Sequence, residues 1–202
     1  KKVSNKEYYY HDNGQIEKEE NYKYYKKDGK WISYYNNGKI QSKTQYIDNQ
    51  KNNLSISYYK NGNIKSEENY ENGVKTGPQL MYYDNEVLSS KIIYNKNHKK
   101  NGLSVSYYKN GNTKSEENYE NGAKTGPQLA YYDNGNIKSV KNYNNGNRIG
   151  LQITFAENGD TLRYANYNEK GLDGAYKEYN SSGKYIKNYV DGIQNGEYKY
   201  YG

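Results

Sequence analysis

The chain is predicted to be all-β: an elongated, single-layer antiparallel β-meander of about eight hairpin repeats of 24 residues. Three observations carry this. An aromatic recurs at Tyr10, Tyr34, Tyr58, Tyr82, Tyr107, Tyr131, Phe155, Tyr179 and Tyr201, in steps of 24, 24, 24, 25, 24, 24, 24 and 22 residues. Such a period marks a stacked array in which each unit contacts mainly its neighbours. Residues 58–85 return 49 positions later at 107–134 with only three differences, Ile64/Thr113, Val74/Ala123 and Met81/Ala130. This is the trace of a duplicated two-repeat block. Finally, within each repeat, stretches of period-2 alternation are separated by Asn-Gly turn signals.

One repeat shows how the elements follow. Leu54, Ile56 and Tyr58 alternate with Ser55, Ser57 and Tyr59, a strand with one apolar face, and Leu103-Val105-Tyr107 and Leu151-Ile153-Phe155 repeat the pattern. Pro78 and Pro127 are expected at strand starts, where a missing donor does least harm. Lys60-Asn61-Gly62 is a turn, one of eleven Asn-Gly pairs in the chain. A second strand follows through Ile64, Ser66, Glu68 and Tyr70, and its Tyr recurs as Tyr22, Tyr46, Tyr94, Tyr119, Tyr143 and Tyr167. Glu71-Asn72-Gly73 then turns the chain into the next unit.

The loop length decides the faces. A two-residue Asn-Gly turn pairs Tyr59 with Ile64 and splits the apolar residues between the two sides. A three-residue loop with Gly62 as a bulge pairs Tyr58 with Ile64 instead. It gathers Leu54, Ile56, Tyr58, Ile64 and Tyr70 on one face, joined by Leu80, Tyr82, Val105, Tyr107, Leu129, Tyr131, Ile153 and Phe155 from other repeats. A one-residue slip inverts every side chain, and the bulged loop is the expected one because it makes a single apolar face. Tyr35, Tyr59, Tyr83, Tyr108 and Tyr132 then form an exposed aromatic row on the other side, the candidate binding residues. Glu86 stands at a turn Gly position and predicts a different turn there. The array is expected to run continuously over 1–202 as one body, with atypical capping repeats near 1–29 and 180–202.

Composition sets limits. Ile, Leu, Val and Phe number 28 of 202 residues, below the share of about 20% at which disorder becomes the default. Against disorder stand 30 Tyr and a net charge of only +7, since Tyr buries a large area at little side-chain entropy. The expectation is an ordered chain in which tyrosine replaces aliphatic packing, without a thick core. The absence of Cys excludes disulfides, thiolate metal sites and a thiol nucleophile. No apolar run approaches the ~18 residues that span a bilayer as a helix. The chain opens on Lys1-Lys2-Val3 without Met, which fits a processed or a trimmed start. A secreted or cell-surface location is favoured over a cytoplasmic one.

Candidate chemistry is sparse. Glu67-Glu68 and Glu116-Glu117 are adjacent on strands and point to opposite faces, so they do not form an acid/base pair. His11 and His98 fall in different repeats, without the ligand cluster a metal needs. Asp-Asn-Gly at 12–14 and 133–135 lacks the spaced acids of a calcium loop, and no Gly-rich stretch has the Lys-Ser/Thr of a phosphate loop. The basic balance raises nucleic acid, but the lysines are scattered and matched by glutamates, as in Lys65-Ser66-Glu67-Glu68, so nucleic acid is disfavoured. Weak attraction to anionic surfaces is retained. No catalytic residue, metal or cofactor is assigned.

The unit Tyr-Tyr-x-Asn-Gly, seen at 34–38, 58–62, 107–111 and 131–135 with a following Tyr and Gly, resembles the variant MORN repeat, the type found in bacterial YwqK-family proteins often labelled antitoxins. The resemblance runs from about Tyr8 to Tyr201, with departures at Glu86, Phe155-Ala156 and Tyr179-Asn180. It implies a twisted antiparallel sheet, no catalysis, and a role in protein–protein interaction or assembly, with lipid association as an option. Three roles are carried forward. One is a non-enzymatic scaffold that binds a protein partner, or a second copy as a homodimer, through its Tyr-rich sheet. The alternative is a secreted or surface glycan-binding module that uses the Tyr row. The antitoxin role ranks below both.

Overall fold

The computed structural model describes residues 4–202; Lys1–Val3, the first residues of the expected N-terminal cap, lie outside the described residues. Among the described residues there is no helix, and every strand runs antiparallel to its neighbours. The chain divides into two units, 1–99 and 100–202.

The first unit consists of four hairpins: Ser4–Tyr10 with Ile16–Lys23, Gly29–Tyr34 with Ile40–Ile47, Gln50–Tyr58 with Ile64–Glu71, and Val74–Tyr82 with Leu88–Tyr94. The second consists of Gly102–Tyr107 with Thr113–Glu120, Ala123–Tyr131 with Ile137–Asn144, Asn147–Phe155 with Thr161–Asn168, and Gly174–Asn180 with Gly183–Val190, closed by the short strand Lys199–Tyr201. Within each unit, successive hairpins pair edge to edge as a meander.

The hairpin loop has three residues, as the face argument expects. Tyr59 N–H donates to Asn63 O at 2.8 Å, Gly62 N–H returns to Tyr59 O at 2.9 Å, and Tyr58 stands opposite Ile64. Gly62 has φ +103°, a conformation that a Cβ disfavours. The loop holding Glu86 is a correction to expectation: it is the same loop. Tyr83 N–H reaches Val87 O, Glu86 N–H reaches Tyr83 O, and Glu86 itself takes φ +68°.

Two further irregularities set the faces. Ser57 pairs with Ser66 while Tyr58 pairs with Ile64, so Lys65 is an extra residue bulged out of the ladder. The same slip recurs at Lys114, Lys138 and Leu162. It corrects the predicted apolar face, because beyond the bulge every side chain changes sides. Tyr70 now pairs with Asn53 and shares a face with Ser55, Ser57 and Ser66, opposite to Leu54, Ile56, Tyr58 and Ile64. The other residues expected on the apolar face keep their side: Leu80 and Tyr82 in the first unit, and Val105, Tyr107, Leu129, Tyr131, Ile153 and Phe155 in the second.

The second irregularity lies between hairpins. Glu68 pairs with Gln79 but Tyr70 with Lys75, so Thr76-Gly77-Pro78 bulges opposite Asn69. Pro78 and Pro127 therefore sit inside the strands Val74–Tyr82 and Ala123–Tyr131, not at their starts. A bulge has already given up ladder bonds, so a missing N–H costs little there.

No layer covers the sheet within either unit. Among the described residues the only buried hydrophobic one is Ala165, and the other buried residues are Ser55, Ser66, Gln79, Ser104, Gln128, Ser139 and Gln152, all on the serine face. The interior is therefore a strip of small and amide side chains screened by their neighbours, not an aliphatic core.

Loop strain is measurable by substitution. Gly62→Ala is expected to lower stability by about 1–2 kcal/mol, the usual cost of a Cβ at positive φ. Glu86→Gly is expected to raise it by roughly 0.5–1 kcal/mol. Chemical denaturation checks both, and a neutral result for both would show that these loops carry no strain.

Candidate binding surface

The tyrosine row expected to be exposed is half-buried. The hydroxyls of Tyr35, Tyr59, Tyr108 and Tyr132 are occupied by the next repeat. Tyr35 donates to Tyr58 O at 2.7 Å, Tyr59 to Tyr82 O at 2.7 Å, Tyr108 to Tyr131 O at 2.8 Å and Tyr132 to Phe155 O at 2.8 Å. In three hairpins the bulged residue is a lysine that roofs the ring: Lys65 lies 5.7 Å from the Tyr59 centroid, Lys114 5.5 Å from Tyr108 and Lys138 5.2 Å from Tyr132. Tyr83 is half-buried as well. His11 fills this role in the first hairpin, its Nε2 lying 3.0 Å from Tyr34 O. At the hairpin of Phe155 the tyrosine and its lysine are both replaced, by Ala156 and Leu162, and an open groove lies there between Thr161, Leu162 and Tyr179.

The serine face holds what sequence reasoning missed. Gln79 donates its amide to Asn69 O at 3.0 Å and to Thr76 O at 2.8 Å, while Asn69 donates to Pro78 O at 2.6 Å, so each bulge is clamped from both sides. Gln128 with Asn118, and Gln152 with Asn142, repeat the clamp. Trp31 does so in the first repeat, its indole N–H donating to Asn21 O at 2.9 Å. Beside the clamps runs a column of alternating cations and aromatic rings. In the first unit Lys27 lies 4.2 Å from the Trp31 ring and 5.3 Å from Tyr46, and Lys51 lies 5.0 Å from Tyr70. In the second, Lys100 faces Tyr119 at 4.9 Å, Lys124 faces Tyr143 at 5.7 Å and Arg148 faces Tyr167 at 5.7 Å. The 24-residue spacing of Lys27, Lys51 and Lys75, and of Lys100, Lys124 and Arg148, is the signal that stacking the repeats in register exposes.

Carboxylates complete the column. Lys75 pairs with Glu68 at 2.5 Å and Lys124 with Glu117 at 2.6 Å. Burial alone pushes the Glu117 carboxyl up, but hydrogen bonds from Lys124 and Tyr119 outweigh it and hold the group below its usual range. Burial, followed by the Glu68 carboxylate, raises the Tyr70 phenol from 10.0 to about 12. Tyr34, buried and bonded to Glu19, is also raised to about 12.

The opposite, aliphatic face is uncovered within each unit. Leu54 and Val74 are 42% and 45% exposed in the first unit, and Leu103 and Ile137 43% and 44% in the second. Among the described residues no group of three or more His, Asp or Glu could hold a metal, and no helix is long and apolar enough to cross a membrane. His98 occupies a Gly position in a loop at φ +59°, with Nδ1 3.1 Å from Lys75 O.

The family profile of the MORN repeat variant matches residues 5–24, 27–48, 51–72, 100–121 and 124–145, just over half of the chain. The chain belongs to the MORN repeat variant family. The matched MORN segments stop before Ala156 and Leu162, and they skip the hairpin that carries Glu86. Both gaps coincide with departures from the Tyr-Tyr-x-Asn-Gly unit. Comparison with curated proteins gives no match. MORN repeats typically serve as non-catalytic scaffolds that bind proteins or membranes.

The phenols predict an alkaline limit. A tyrosine whose pKa rises on folding holds its proton more tightly in the folded chain. Its contribution is therefore complete below the unfolded value near 10 and is lost as pH climbs through about 12. Thermal unfolding is expected to hold level below pH 10 and fall steeply above it, in step with tyrosinate absorbance. A melting temperature unchanged up to pH 12 would contradict the assignment.

Proposed function

We propose that the protein is a non-enzymatic MORN scaffold that docks a protein partner, or a second copy of itself, on its aliphatic face. The observation that carries this reading is the run of Leu54, Ile56, Tyr58 and Ile64 in the first unit and Leu103, Val105, Tyr107 and Ile137 in the second. These share one side of an uncovered sheet. Contiguous exposed apolar surface is a mark of interfaces, and repeated weak contacts on a regular lattice add through effective concentration. The serine face is less suited, since its polar groups are largely spent on one another and on the bulges.

The glycan reading relied on rings free to stack. The half-burial of Tyr35, Tyr59, Tyr108 and Tyr132 under their neighbours weighs against it. The antitoxin role within a YwqK-type lineage rests on the resemblance alone.

Leu54→Glu with Leu103→Glu tests the proposal at positions already exposed, where the fold tolerates charge. The double variant should keep its circular dichroism and melting temperature. It should lose self-association in sedimentation velocity, or capture of its partner by crosslinking, with affinity down roughly tenfold or more. Unchanged association in the folded variant would rule this face out.

A further inference from the structure

The serine face of the second unit breaks its own charge pattern at one place. A row of paired residues crosses it through Ser104, Glu117, Gln128, Lys141, Gln152 and Ala165. One repeat earlier, Glu117 and Lys124 neutralise each other at 2.6 Å, as Glu68 and Lys75 do in the first unit at 2.5 Å. Twenty-four residues on, the same two positions are Lys141 and Arg148. A third cation, Arg163, replaces the serine found at 115 and 139. Two departures from the repeat thus converge on one spot, Lys141 in place of a carboxylate and Arg163 in place of a hydroxyl, while Arg148 keeps the cation of the repeat and loses its carboxylate partner.

The spot is a pocket of about 70 Å³ bounded by Lys141, Arg148, Arg163 and Thr154, with Gln152 and Ala165 as its floor. The volume suits one tetrahedral oxyanion. The cations are held, not loose. Arg148 lies over the Tyr167 ring with Nη1 3.3 Å from its hydroxyl, and Arg163 lies 4.9 Å from the centroid of Tyr176. Among the described residues no carboxylate ion-pairs with any of the three. Glu178, across the ladder from Arg163, accepts the Tyr176 hydroxyl at 2.7 Å.

The floor adds an independent requirement. Gln152 is 8% exposed, and its Nε2 donates to Asn142 O at 2.9 Å and Ile149 O at 3.1 Å. Its Oε1 has no partner, as is true of Gln79 and Gln128 in the equivalent clamps, and at Gln152 the orphaned oxygen lies beside Lys141, Arg148 and Arg163. A buried carbonyl without a donor is costly, so the favoured ligand supplies one. We propose that this pocket binds a hydroxyl-bearing phosphate monoester. Lys141, Arg148, Arg163 and the Thr154 hydroxyl engage the phosphate oxygens, and the neighbouring ligand hydroxyl donates to Gln152 Oε1. The monoester belongs either to a soluble polyol phosphate or to a lipid headgroup.

Calorimetric titration of the full chain with glycerol phosphate tests this, with inorganic sulfate as the comparison. Glycerol phosphate should saturate and should bind more tightly than sulfate, which carries the charge but no donor. Lys141→Glu with Arg163→Ser restores the residues of the preceding hairpins, so the fold is kept, and should weaken binding roughly tenfold or more. Lys184→Ser, which removes a cation elsewhere in the unit, should leave it unchanged. Phosphatidylcholine vesicles with and without lysophosphatidate, a monoester that keeps one free glycerol hydroxyl, separate the sources. Binding that needs lysophosphatidate, Lys141 and Arg163 assigns the headgroup, and binding of glycerol phosphate alone assigns the soluble ester. Absence of saturable binding to either, equal affinity for sulfate, or equal loss in the Lys184→Ser variant overturns the site.

Discussion

The structure depends on side chains that reach the backbone of the following repeat. Tyr35, Tyr59, Tyr108 and Tyr132 each donate to a carbonyl 23 residues ahead, and His11 makes the same contact at the start. Loop asparagines do likewise: Asn63 reaches Asp84 O at 2.9 Å and Asn112 reaches Asp133 O at 2.8 Å. A single-layer sheet has no opposing layer to press its hairpins together. Each such bond contributes about 0.5–1.5 kcal/mol and orients a ring that covers its neighbour. Repetition of a small term from hairpin to hairpin does the work that a core does in a globular domain.

Nearest-neighbour stability also explains how repeats diverge without loss of the fold. The inward position on the serine face is a half-buried Trp31 and then the buried Ser55, Gln79, Ser104, Gln128 and Gln152 in turn. Where it is an amide or an indole, its N–H clamps the bulge. Where it is Ser55, the hydroxyl lies 2.8 Å from Thr44 instead. Ala156 and Leu162 alter the tyrosine and its covering lysine together, and Lys141 and Arg163 alter charge while the ladder runs on around them. Function can therefore be written locally onto either face of a MORN sheet.

Much of the fold was legible in the residues because its causes are local. The aromatic spacing gave the hairpin count, and Lys60-Asn61-Gly62 gave the loop, since a three-residue turn with Gly at positive φ is a matter of neighbouring backbone. The candidate site was less legible. The placement of Tyr70 turned on the Lys65 bulge, which no change in local composition announces, and one extra residue inverts a strand. The tyrosine row was expected in solvent, and its rings are half-buried. The cover of Tyr59, Tyr108 and Tyr132 comes from a lysine in the same hairpin and a carbonyl in the next.

The amino-acid sequence by itself determined the repeat, the hairpin and the shortage of aliphatic packing, because period, turn chemistry and composition act within a few residues. Only the tertiary structure decided which tyrosines are spent on neighbouring repeats and which face stays open. It also decided that Lys141, Arg148 and Arg163 meet around one unpartnered carbonyl. Those outcomes follow from register between strands, which bulges shift and which brings together residues far apart in the chain.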